Sequence, residues 1–104
     1  MKIYGIKTCD SCKKAQKALP DAEFVDVRED GLPSDVLTAA LDRFGDRLLN
    51  TRSTTWRELS EEERKKQPVW LIAAHPTLMK RPLIVKGEEM HLGFDATTRE
   101  ALGA

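Results

Sequence analysis

The stretch Ile3-Tyr4-Gly5-Ile6-Lys7-Thr8-Cys9-Asp10-Ser11-Cys12 constrains the fold more than any other part of the chain. Residues 2–6 are rich in Ile and Tyr and read as a buried strand, with Gly5 allowing close backbone approach. From Asp10 onward the pattern is helical. Cys12, Ala15, Ala18 and Leu19 fall on one face and Lys13, Lys14, Gln16 and Lys17 mostly on the other. Pro20 closes that helix, and Ala22 to Val27 returns to strand character through Phe24, Val25 and Val27. Strand, helix and strand in this order predict a parallel pair joined by a right-handed crossover.

Both cysteines of the chain lie at the strand-to-helix junction, as Cys9-x-x-Cys12. A sulfur placed just before a helix meets unpaired backbone N–H groups and the positive end of the helix dipole, which favour the thiolate. Cys9 suits attack on an oxidised sulfur. Cys12, one turn inside on the apolar face, suits either resolution of the resulting mixed disulfide or the plainer role of a small buried hydrophobe. A zinc site would need two more ligands, and His75 and His91 are not spaced to supply them, so no metal is expected. Lys7, Lys13 and Lys14 add positive charge around the pair.

The 104 residues suit one domain, with 40% hydrophobic and 33% charged side chains. Seventeen basic residues balance seventeen acidic ones, so overall charge offers no case for direct nucleic-acid or membrane binding. The N-terminus enters a strand without the apolar region of a secretory signal, and two closely spaced cysteines do not form a secreted disulfide framework. A cytoplasmic location is the expectation.

Further along, Arg28 to Gly31 reads as a charged turn. Pro33 and Ser34 open a helix carrying Val36, Leu37, Ala40, Leu41 and Phe44, stopped by Gly45. Leu48 to Arg57 suits a loop or short helix. Ser60 and Glu63 form a capping box for a helix that stops near Pro68. Val69 to Ala74 is a further helix, ending at His75-Pro76, and Trp56 and Trp70 are expected to pack the surrounding helical insertion, at about 46–80, against the sheet. The apolar Leu83-Ile84-Val85, the turn at Lys86-Gly87-Glu88, and Met90 with Leu92 make a hairpin. Asp95 caps a last helix through Leu102, with Gly103 beyond it. These elements predict an α/β fold with a mixed four-stranded sheet in the order 2-1-3-4, flanked by helices.

At this level of detail the chain resembles the thioredoxin-like arsenate reductase (ArsC) family, especially its Spx and YffB-type members. The likeness rests on Ile3-Tyr4 followed by Cys9, on Asn50-Thr51-Arg52-Ser53-Thr54-Thr55-Trp56-Arg57, and on His75-Pro76 leading to Lys80-Arg81-Pro82. It implies that Cys9 is the nucleophile, that Arg81 and a cis Pro82 face it, and that Arg52 matches the arginine of the Spx Thr-Arg-Ser motif. Catalytic roles are thereby expected at Cys9, Cys12 and Arg81, and substrate-binding roles at Thr8, Asn50, Arg52 and Pro82. Arsenate-reducing members carry an arginine triad, of which only Arg81 is present. The other positions fall on Asn50 and near Gly93, which places arsenate reduction third among the expected functions. First is a thiol–disulfide oxidoreductase coupled to glutathione or glutaredoxin, with glutathione as co-substrate and no tightly bound cofactor. Second is a redox-sensing regulator that binds the alpha subunit of RNA polymerase.

Overall fold

The computed structural model describes residues 1–103. The chain divides into two compact units, one made of residues 1–30 and 81–104 and the other of 31–80. The first unit carries a four-stranded sheet: β1 (Lys2–Gly5), β2 (Glu23–Asp26), β3 (Leu83–Lys86) and β4 (Glu89–Leu92). Their order is β2-β1-β3-β4, as the sequence pattern implies. β1 pairs with β2 in parallel and with β3 antiparallel, and β3 pairs antiparallel with β4.

Register follows from the apolar residues. Ile3 stands opposite Phe24 on one side and Ile84 on the other, which sets a row of three apolar side chains across three strands. Helix α1 (Asp10–Ala18) lays Ala15, and Leu19 just past its end, on this row. Phe94 and Leu102 pack around the same cluster. The β3–β4 loop is two residues long, with Gly87 at φ 60° in its first position, where a type II′ hairpin needs a positive φ.

The sequence expectation of a turn at Arg28 to Gly31 is corrected. Val27–Asp30 forms a single helical turn, α2, following directly on β2. Val27 was read as the end of the strand because it is apolar. It is fully buried, but as the first residue of α2.

The second unit is helical. It contains α3 (Ser34–Phe44), a 3-10 turn (Gly45–Leu48), α4 (Thr54–Glu58), α5 (Glu61–Arg64), α6 (Pro68–Ala74) and a second 3-10 turn (Pro76–Leu78). α3 packs on α6, and Leu37, Ala40, Leu71 and Ile72 are buried. The capping box forms: the Ser60 hydroxyl accepts from Glu63 N at 3.1 Å while Ser60 N donates to Glu63 Oε1 at 3.1 Å. α5 is shorter than its charged sequence implies, ending at Arg64, whose guanidinium donates to the Trp56 carbonyl and stacks over the Trp56 ring. Trp70 departs from the packing role expected of it. Its side chain is 42% exposed, and the Lys66 ammonium lies 3.6 Å from its ring centre. Back in the first unit, Asp95 caps α7 (Ala96–Leu102) by accepting from Thr98 N at 2.9 Å. Among the described residues no helix is long and apolar enough to cross a membrane.

Replacing Ile84 at the centre of the apolar row by Ala is expected to cost about 2–5 kcal/mol. Val69→Ala, on an exposed side chain, should change stability by less than about 0.5 kcal/mol. Urea unfolding of both variants measures the contrast.

Candidate thiol site

The site is built where β1 hands over to α1. After Gly5 the chain makes a turn closed by Cys9 N donating to the Ile6 carbonyl at 3.0 Å. Cys9 is then the N-cap residue of α1, with extended backbone (φ −79°, ψ 126°), and its carbonyl accepts from Lys13 N at 2.9 Å. An N-cap position leaves the first amides of the helix without intrahelical partners. Cys9 is half-buried and its side chain makes no capping hydrogen bond. Burial alone would push its pKa up. The amide and thiol of Cys12, the Arg81 guanidinium and the Ser11 amide, all directed at the sulfur, outweigh burial and bring the pKa below the ordinary thiol value of 9.0.

Cys12 sits one turn later and is fully buried. Burial is the largest influence on it and, with the neighbouring Cys9 sulfur, pushes its pKa up to about 12, against the opposing pull of the Ile6 amide and the Arg81 charge. Two thiols of one helical turn are therefore set far apart in acidity, Cys12 chiefly by burial and Cys9 by the donors around it. The seat of Cys12 explains Gly5. A Cβ added at Gly5 would overlap the Cys12 sulfur and lie 3.3 Å from the Cys12 Cβ. The close approach expected of Gly5 is thus made by the second cysteine.

Arg81 enters from the start of the returning segment, and the Arg81–Pro82 peptide bond is cis. Pro82 is buried, and its carbonyl accepts from Gly93 N at 2.8 Å. Cys9, Cys12 and Arg81 are thereby brought together, with Thr8 exposed in the turn just before Cys9. Asn50 and Arg52 belong to the second unit, where they build a turn of their own. Asn50 Oδ1 accepts from Arg52 N at 3.2 Å, the Asn50 carbonyl accepts from the Ser53 hydroxyl at 2.8 Å, and the Arg52 carbonyl accepts from Arg57 Nη2 at 3.2 Å.

One contributor was missed in the sequence. Asp26 ends β2 and is only 6% exposed. Its Oδ2 accepts from Lys7 N at 3.2 Å and its Oδ1 from Arg28 N at 2.8 Å, so a single carboxylate ties the Cys9 turn to the start of α2. Burial pushes its pKa up, but the amides of Lys7, Arg28 and Glu29 and the Lys7 charge outweigh this and hold it below the ordinary 3.8. The available signal was a lone acid among the apolar residues of Phe24-Val25-Asp26-Val27.

A parallel β1–β2 pair, an antiparallel β3–β4 hairpin and a thiol at the N-terminus of the first helix define the class: a thioredoxin-like protein with a Cys-x-x-Cys. The ArsC family model matches residues 4–102, and the chain belongs to the ArsC family. An uncharacterised protein of Haemophilus influenzae is 42% identical, over 95% of both chains. The solved structure of a YffB protein superposes with a TM-score of 0.86 at 29% identity, covering 96% of each chain. The global transcriptional regulator Spx 2 of Bacillus anthracis is 25% identical over 89% of this chain and 79% of its own length. The family relation thus extends to arsenate reductases and to Spx regulators.

Two outcomes follow from this geometry. Gly5→Ala should cost about 1–3 kcal/mol through overpacking, and most of that loss should be recovered in the Gly5→Ala/Cys12→Ala double variant, as read by urea midpoints. For Asp26, a depressed folded pKa means that its stabilisation is complete at neutral pH. It declines as pH falls through the usual carboxylate range near 3.8 and is lost below the lower folded value. Stability measured between neutral pH and acid should therefore fall less steeply in Asp26→Asn than in the parent protein.

Proposed function

We propose that this protein is a thiol–disulfide oxidoreductase in which Cys9 is the nucleophile. The observation that carries the reading is the position of the Cys9 sulfur, half-buried at the N-cap of α1 and faced by Arg81, with its pKa lowered while that of Cys12 is raised. The Cys9 thiolate attacks one sulfur of a substrate disulfide. That S–S bond breaks, the other substrate sulfur leaves as a thiolate, and a mixed disulfide joins Cys9 to the substrate.

The second step is gated by charge. While Cys9 is a thiolate, burial together with its charge and hydrogen bond keeps Cys12 protonated. In the mixed disulfide that charge is gone, whereas Arg81 and the Ile6 amide still favour a Cys12 thiolate. Cys12 then loses its proton to the departing thiolate or to solvent and attacks the Cys9 sulfur. The substrate leaves as a thiol, reduced by two electrons in all, and Cys9–Cys12 remains as a disulfide. Two molecules of glutathione, or a glutaredoxin acting for them, return the pair to thiols and become oxidised in turn. Thr8, Pro82, Asn50 and Arg52 are assigned to substrate binding on the strength of the family motif.

A second reading has its own support. The likeness to Spx 2 and the Cys9-x-x-Cys12 pair favour a redox-sensing regulator that contacts RNA polymerase through its alpha subunit. Binding of the purified alpha C-terminal domain in only one redox state, without turnover of any disulfide, would favour the regulator over the reductase.

Cys9→Ser should abolish disulfide reduction, and Cys12→Ser should accumulate the mixed disulfide, seen by mass spectrometry as a glutathione adduct on Cys9. Alkylation of Cys9 followed against pH should show a midpoint below 9.0. A midpoint at or above that value, with no glutathione adduct, would overturn the reading.

A further inference from the structure

An open cleft of ≈ 930 Å³ lies between α1 and α7, and the chemistry above makes no use of it. Two helices build it with matched rows. Lys14, Lys17 and Ala18 stand at i, i+3 and i+4 on α1, and Ala96, Arg99 and Glu100 stand at i, i+3 and i+4 on α7. Phe94 forms the floor between them. Three cations and one carboxylate give the rim a positive balance, while Ala18, Ala96 and Phe94 give it an apolar base. The Asp95 carboxylate beside it is turned to the Thr98 amide.

The sheet sets α1 and α7 running the same way, so the cleft follows the later half of α1, whose last residue Ala18 lies nine residues past Cys9, about 13.5 Å along the axis. β4 runs antiparallel to β3, which runs antiparallel to β1, so β4 and β1 point the same way. α7 therefore starts from the same end of the sheet as α1. Lys14 is five residues past the Cys9 N-cap, about 7.5 Å along the helix axis.

We propose that this cleft docks an acidic segment of a partner protein, one that carries an aliphatic or aromatic side chain between carboxylates. Charge complementarity selects the acid: Lys14, Lys17 and Arg99 are all exposed, and an acidic chain meets them with few like charges opposed. The apolar residue meets Phe94, over whose ring the Arg99 guanidinium lies at 5.6 Å. A macromolecular segment fits better than a small ligand. Small-molecule sites bury most of their ligand's surface, whereas the rim residues here are exposed and Phe94 itself is only half-buried. The inference does not depend on the thiol-site reading.

The test is an NMR titration of the intact protein with acetyl-Asp-Glu-Phe-Asp-Glu-amide, which contains no sulfur. Amide shifts confined to residues 14–18 and 94–100 are expected. Binding should weaken with added salt, and about tenfold in the Lys14→Glu/Lys17→Glu/Arg99→Glu variant. The milder Lys14→Gln/Lys17→Gln/Arg99→Gln variant should weaken it less, and it guards against a folding defect in the charge reversal. The proposal is overturned by shifts elsewhere or none, by equal binding of the counterpart with lysines for its acids, or by glutathione alone producing the same shifts. A Cys9 inert toward disulfides would remove the oxidoreductase reading and leave the docking result standing.

Discussion

The seating of the Cys12 sulfur over Gly5 is the contact on which the site depends. It fixes how closely α1 approaches β1, because any side chain at position 5 would occupy the space of the sulfur. With α1 held there, Ala15 and Leu19 reach the row of Ile3 and Ile84, and Cys9 is left at the mouth of the helix, half-buried. Depth and donors then do the chemical sorting. The same helical turn presents one sulfur to donors and partial solvent and the other to the core, so two like residues acquire opposite tendencies toward ionisation. A larger residue at position 5 would lift the helix, and the spacing between the two sulfurs and the donors would change together.

The turn between Gly5 and Cys9 needs a restraint of its own, because it is short and its neighbours Lys7 and Thr8 are exposed. Asp26 supplies it from beneath. A buried carboxylate is costly unless its oxygens are satisfied, and here backbone amides from two segments satisfy it. The surface pair between Lys7 and Glu29, at 3.4 Å with both side chains exposed, bridges the same two segments and adds little. Rigidity in the turn thus comes from a buried acceptor rather than from the visible ion pair.

The strand–helix–strand start, the hairpin around Gly87 and the two side-chain caps at Ser60 and Asp95 were legible because each rests on local chemistry: periodicity, a required positive φ, or a hydroxyl or carboxylate placed before a helix. Arg81 and the cis Pro82 were legible only through family likeness, since nothing local marks them. Three features escaped local reading. Val27 looks like strand, and only its packing shows that it starts α2. Trp70 looks like core, yet its helix turns it outward and Lys66 covers it. Asp26 looks like a strand-end charge, and its role emerges only when Lys7, nineteen residues earlier, folds back over it. For Asp26 the deciding partner is remote in sequence, which is what patterns of neighbouring residues cannot encode.

The same remoteness governs the chemistry. Cys9 and Cys12 lie in the first strand–helix unit, but Arg81 arrives with β3, after the whole second unit has intervened. The amides of Ser11 and Cys12 act on the Cys9 sulfur as soon as α1 forms, since they belong to its own first turn. The Arg81 contribution exists only once β3 has paired with β1, because that pairing carries the residue to the thiols. Long-range antiparallel pairing of this kind is paid for in loop-closure entropy before its contacts are gained. A chain with α1 formed and β3 unpaired would hold a Cys9 thiol that already meets the Cys12 and Ser11 donors but lacks Arg81. Closure of the sheet therefore adds Arg81 to donors that the helix supplies on its own.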